Sequence, residues 1–146
     1  MGFFDTFKVM KDIVAGGIAS YKAGEKLDEL CEQAMNDYED VLTDEQKKLY
    51  KQYKKSAQAY SDNTDNDKNE ALTKEMEDSR QAFLESLQGN SSLPKSFKNE
   101  IKDSIAEFVK AENRAIDSLG ETLEKYAETD EQREEIRKTV EKERKK

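Results

Sequence analysis

Residues 97–126, FKNEIKDSIAEFVKAENRAIDSLGETLEKY, place apolar side chains at Phe97, Ile101, Ile105, Phe108, Val109, Ala115, Ile116, Leu119, Leu123 and Tyr126. Steps of three and four recur for about eight turns, the period of a helix that buries one face. Pro94 stands near the first turn, where a missing backbone N–H leaves no bond unmade. Gly120 falls inside the run and is read as tolerated there. With the same period on both sides of it, this helix predicts an all-α chain.

Working outward, the same period appears on both sides. Gly89-Asn90 is a stop signal, preceded by a stripe of Leu72, Met76, Phe83, Leu84 and Leu87. Residues 62–67, DNTDND, form a polar turn. Before it, Thr43-Asp44-Glu45-Gln46 reads as a capping box opening a helix to about Ser61. That helix carries Leu49, Tyr50, Tyr53, Ala57 and Tyr60 on one side, three tyrosines that suit a partly wet contact. Upstream, Leu27, Leu30, Cys31, Ala34, Met35, Tyr38, Val41 and Leu42 make another stripe. Downstream, Thr129-Asp130-Glu131-Gln132 repeats the box, and the helix it opens has only Ile136 and Val140 to bury. A solvated extension is expected there.

The expected architecture is an elongated antiparallel bundle of three to four long helices over residues 25–128. An amphipathic N-terminal helix, 1–24, precedes it, and a charged C-terminal helix or tail, 129–146, follows. The main contact is expected between the helices near 25–42 and 95–127. The expected core is Leu27, Leu30, Ala34, Tyr38, Leu72, Met76, Phe83, Leu87, Ile101, Ile105, Phe108, Ile116, Leu119 and Leu123.

With 146 residues, 40% charged and 34% hydrophobic, the chain has a modest core for its length. Its net charge of -8 argues against nucleic acid as a partner. The charge is segmented: residues 25–42 carry seven acids against one lysine, and residues 43–61 five lysines against two acids. Opposite neighbours favour an antiparallel hairpin about Val41–Thr43, although exposed pairs contribute only about 0–1 kcal/mol each.

Little of this composition suits catalysis. The chain has no histidine, the commonest general base and metal ligand. Its single cysteine, Cys31, cannot form an intramolecular disulfide and sits inside an apolar stripe, which fits a reducing, intracellular setting. Asp65, Asp67 and Asn69 match the start of a calcium loop, but Glu70 stands where glycine is needed and Met76 where glutamate is needed. No nucleotide-binding glycine motif occurs. Glu112 interrupts its stripe between Phe108 and Ile116; such an acid usually pairs with a base or marks a wet edge, and less often is a functional group with a raised pKa. The expectation is a non-enzyme without cofactor or metal.

The first residues, MGFFDTFKVMKDIVAGGIASYKAG, carry the functional signal. Along a straight helix, Val9, Ile13, Gly16 and Ser20 continue the stripe that starts at Leu27. Phe3, Phe7, Met10, Val14 and Tyr21 lie about 120° around from it, with Phe4 beside them. Lys8 and Lys11 are placed to snorkel toward headgroups. Gly16, Ser20 and Gly24 form a small-residue row, most simply a weakening of the helix. Met1-Gly2 with Thr6 also satisfies the permissive myristoylation pattern, without a polybasic or cysteine partner. An aromatic-rich helix ahead of long charged helices resembles the short amphipathic leader of bacterial phage-shock, ESCRT-III-like membrane-remodelling proteins. The likeness covers the first dozen or so residues and implies a membrane-surface helix; that family's activity is not carried over.

The leading expectation is an intracellular interaction or scaffold protein, cytoplasmic and peripheral to a membrane. Phe3, Phe4, Phe7, Met10, Val14 and Tyr21 would engage a membrane surface or an apolar partner groove. The alternative is a self-assembling protein whose N-terminal helix packs on, or swaps into, a neighbouring subunit. These aromatics completing the chain's own core is the plain structural reading. No run is long or apolar enough to span a membrane, and the aromatics ahead of the lysines do not read as a secretory signal.

Overall fold

Helical spacing, scarce proline and two capping boxes should leave the chain no other regular structure, and helices are what form. The computed structural model describes residues 18–144. Among them are five α-helices: α1 Ile18–Tyr38, α2 Asp44–Asp62, α3 Asn66–Leu87, α4 Lys95–Tyr126 and α5 Asp130–Glu143. A single 3-10 turn, Glu39–Val41, follows α1. No strand occurs among the described residues.

Both capping boxes form. The Thr43 hydroxyl accepts from Gln46 N–H at 3.1 Å, and Gln46 Oε1 accepts from Thr43 N–H at 3.0 Å. Thr129 and Gln132 make the same reciprocal pair. The polar turn before α3 is consumed by capping: Asp65 accepts from Asp67 N–H, while Asn63 bonds the Asp65 backbone through both of its side-chain atoms. Among the described residues, no group of three or more acidic, cysteine or histidine side chains is placed to hold a metal.

The chain divides into two compact units, one of which is Glu25–Ile105. Its core gathers Leu27, Leu30, Cys31 and Ala34 from α1, Tyr53 from α2, Phe83, Leu84 and Leu87 from α3, and Phe97 and Ile101 from α4. Contacts pair Gln46 with Ser86, Tyr50 with Phe83 and Ser56 with Ser79, so α2 and α3 run antiparallel. The start of α4 is joined to α1 by Tyr38 on Phe97, with ring centroids 4.9 Å apart, and by Lys26–Glu100 at 2.7 Å. Tyr38, Leu72, Met76 and Ile105, expected in the core, are half-buried.

A buried polar hub fastens the turns of this unit. Gln46 and Asn90 are 6% and 8% exposed. Gln46 Nε2 donates to Ser86 O at 2.9 Å, tying the start of α2 to the end of α3. Asn90 Nδ2 donates to Val41 O at 2.9 Å and to Gln46 Oε1 at 3.0 Å, and its Oδ1 accepts from Ser92 N–H. No buried side-chain nitrogen or oxygen lacks a partner among the described residues. A satisfied network of this kind fixes how turns meet, because any other arrangement leaves buried polar groups unpaired.

The other unit takes the residues from Ala106 onward, together with the described ones before Glu25. Here α5 departs from expectation. It is not a solvated extension: Ile136 is 1% exposed and packs with Leu119, Leu123 and Ala127, with Val140 beside them. Two features allow so small an apolar face to dock. Gly120 presents bare backbone to Val140; a Cβ there would lie 2.5 Å from Val140 Cγ2. Arginines of α5 and its C-cap also reach α4 and the turn after it: Arg137 to Glu124 at 3.1 Å, Arg133 to Ala127 O at 3.2 Å, and the C-cap Arg144 to Asp117. Glu112 lies buried on α4 in the same unit and is not without a partner.

Candidate functional site

Within the unit Glu25–Ile105, α1 and α2 enclose a shallow, open depression lined by Asp28, Glu29, Glu32, Gln33, Asn36, Asp37, Tyr53 and Lys54. Its floor is a set of paired charges. Asp28 Oδ1 accepts from the Tyr53 hydroxyl at 2.5 Å and from Arg80 Nη1 at 3.2 Å. Glu32 accepts from the Tyr50 hydroxyl at 3.0 and 3.1 Å and from Lys54 Nζ at 2.7 Å. The segmental charge contrast thus becomes two inter-helix ties, with acids from α1 and donors from α2 and α3.

The electrostatics give these groups structural roles. Burial, with the adjacent Glu32 carboxylate second, pushes the Tyr50 hydroxyl up to about 12. Burial and Asp28 push Tyr53 up as well. Both hydroxyls therefore stay protonated at neutral pH and serve as donors. Burial likewise drives the Cys31 thiol upward, which removes the thiolate a nucleophile needs. Arg80 is buried while its partner Asp28 keeps 44% of its side-chain surface. The guanidinium is thus matched by a carboxylate that remains hydrated, which lessens the desolvation cost of the pair. The two tyrosine hydroxyls, Asp28 and Glu32 bond helix to helix, and the Cys31 thiol is buried.

Sequence reasoning passed over this cluster, although one signal was present. Arg80 sits four residues after Met76 and three and four before Phe83 and Leu84, on the buried stripe of α3, where an unpaired cation would be prohibitive. The residues singled out for binding lie elsewhere. Phe3, Phe4, Phe7, Met10 and Val14 fall outside the described residues. Tyr21 is described, on α1, and is 60% exposed, whereas Leu27, Leu30 and Ala34 of the same helix are buried. No described helix is long and apolar enough to cross a membrane. In comparisons with known proteins, the chain matches no family model, no curated protein and no solved structure.

Proposed function

We propose that this chain is a non-enzymatic interaction or scaffold protein, a helical bundle whose N-terminal helix engages a membrane surface or an apolar partner groove. Tyr21 carries the reading. It is the described member of the face Phe3, Phe7, Met10, Val14 and Tyr21, and it stands 60% exposed on a helix whose other face is buried from Leu27 onward. An aromatic residue held outward while the stripe behind it turns inward fits a helix with two separate duties. The charged cluster of α1, α2 and α3 supports the scaffold half of the proposal, since its side chains are spent on inter-helix ties.

Vesicle co-sedimentation tests the reading. The full chain is expected to pellet with phosphatidylcholine vesicles, and Phe3→Ser/Phe7→Ser to lose most of that binding. Each buried aromatic contributes about 1.5–3 kcal/mol on transfer from water, so the pair corresponds to a loss of at least about 100-fold. Unchanged melting would accompany that loss. If the double variant instead melts far lower and the parent never pellets, the two phenylalanines belong to the chain's own core and the proposal fails.

A further inference from the structure

We propose that α2 carries a second membrane contact, a lysine face that docks on anionic lipid headgroups; it takes from the reading above only that the surface is a membrane. From Gln46 to Ser61 the chain has five lysines and no acid, although it holds 33 acids in all. At 100° per residue, Lys54, Lys47, Lys51, Lys55 and Lys48 fall within an arc of about 120°, and Lys47 to Lys55 span about 12 Å along the axis. The middle of that arc lies about 160° from Tyr53, which is buried, so the lysines face away from the unit's core. Lys48, Lys51, Lys54 and Lys55 are exposed and Lys47 is half-buried. Lys54 pairs with Glu32 at one edge. Among the described residues, the other four make no ion pair.

Four lysines without an ion pair on one helix face, between acids confined to the helix ends, concentrate positive charge in a chain of net charge -8. Asp28 and Glu32 of α1 are already held by Tyr53, Arg80, Tyr50 and Lys54, and the acids of α2 itself, Asp44, Glu45 and Asp62, stand at its two ends. A surface approaching from the lysine side therefore meets mainly the lysines. The side chains also choose the kind of anion. α2 contains no arginine, so bidentate forks for a defined phosphate are absent, and ammonium groups suit a diffuse array of headgroups. Tyr50 and Tyr53 point at α1 through their bonds to Glu32 and Asp28, and the Tyr50 ring meets Phe83 of α3. The lysine face thus offers no aromatic platform for stacking bases.

The test compares the full chain with Lys48→Gln/Lys51→Gln/Lys55→Gln, which keeps helix propensity. A control with the same net charge, Lys74→Gln/Lys102→Gln/Lys138→Gln, removes three exposed lysines elsewhere. Binding is read on pure phosphatidylcholine vesicles and on vesicles with about one-quarter phosphatidylserine. The parent and the control should bind the anionic vesicles more tightly than the neutral ones, with a steep loss at high salt. The α2 variant should lose about 100-fold on anionic vesicles and nothing on neutral ones. Equal binding of all three proteins to anionic vesicles overturns the lysine face and leaves the N-terminal reading intact. Salt-sensitive binding that survives Phe3→Ser/Phe7→Ser but not the α2 triple supports the lysine face while refuting the N-terminal one. A triple that loses affinity for a single-stranded oligonucleotide but not for vesicles overturns the lipid assignment.

Discussion

Replacing Gln46 with alanine will destabilise the protein by about 2–4 kcal/mol, while the same change at Gln132 will cost about 0.5–1 kcal/mol. Both glutamines occupy the last position of a Thr-Asp-Glu-Gln capping box, and both boxes form. Gln132 does only cap work: its Oε1 accepts from Glu128 N–H at 2.8 Å and Thr129 N–H at 3.3 Å, at an exposed turn. Water replaces those bonds when the side chain is removed. Gln46 is buried, and its loss leaves Ser86 O without its amide donor, and Asn90 Nδ2 and Thr43 N–H without the acceptor they share. Chemical denaturation of the two variants measures the difference. Equal costs would mean that the hub contributes no more than a cap.

The second large effect concerns Gly120. Gly120→Ala will destabilise by about 1–3 kcal/mol, although alanine is the better helix former by about 1 kcal/mol. The new methyl would lie 2.5 Å from Val140 Cγ2, and a helical valine has essentially one rotamer, so α5 must lift rather than the side chain swing aside. Hydrogen exchange should locate the loss in α5, with amides around Ile136 exchanging faster. In a Val140→Ala background the clash is gone, and Gly120→Ala should become neutral or stabilising by up to about 1 kcal/mol. A destabilisation of the same size in both backgrounds would show that the close approach is not what holds α5.

Those two positions mark what the sequence could and could not disclose. Periodicity located the helices well: the run from Phe97 to Tyr126 is nearly the whole of α4, and Leu30, Phe83 and Ile101 are fully buried as their spacing implied. Local chemistry was equally legible, since both capping boxes depend only on residues three apart. What periodicity cannot state is which face meets which. The two boxes are identical in sequence, yet the glutamine of one, Gln46, is buried and bonded to Asn90, forty-four residues away. Gly120 looked merely tolerated because the residue it admits, Val140, lies beyond a turn. α5 looked solvated because two apolar residues seemed too few, and spacing does not show that Arg137 and Arg144 reach α4.

The charge segments followed the same pattern. Their signs were plain from composition, and they do bring Glu32 to Lys54. Their use by Tyr50, Tyr53 and Arg80 needed three helices in place. For the N-terminal face, helical projection separates Tyr21 from the stripe at Leu27, and Tyr21 is indeed exposed where Leu27 is buried. Projection carries no information about what such a face touches.

The chain contains no tryptophan, so Phe7→Trp installs a single reporter on that face. With phosphatidylcholine–phosphatidylserine vesicles added, its emission should shift from the long-wavelength value of a hydrated indole to shorter wavelength, and a lipid-borne quencher should extinguish it. An emission maximum already short before any lipid is added, and unmoved afterwards, would place residue 7 in the protein's own interior and contradict a membrane-facing N-terminus.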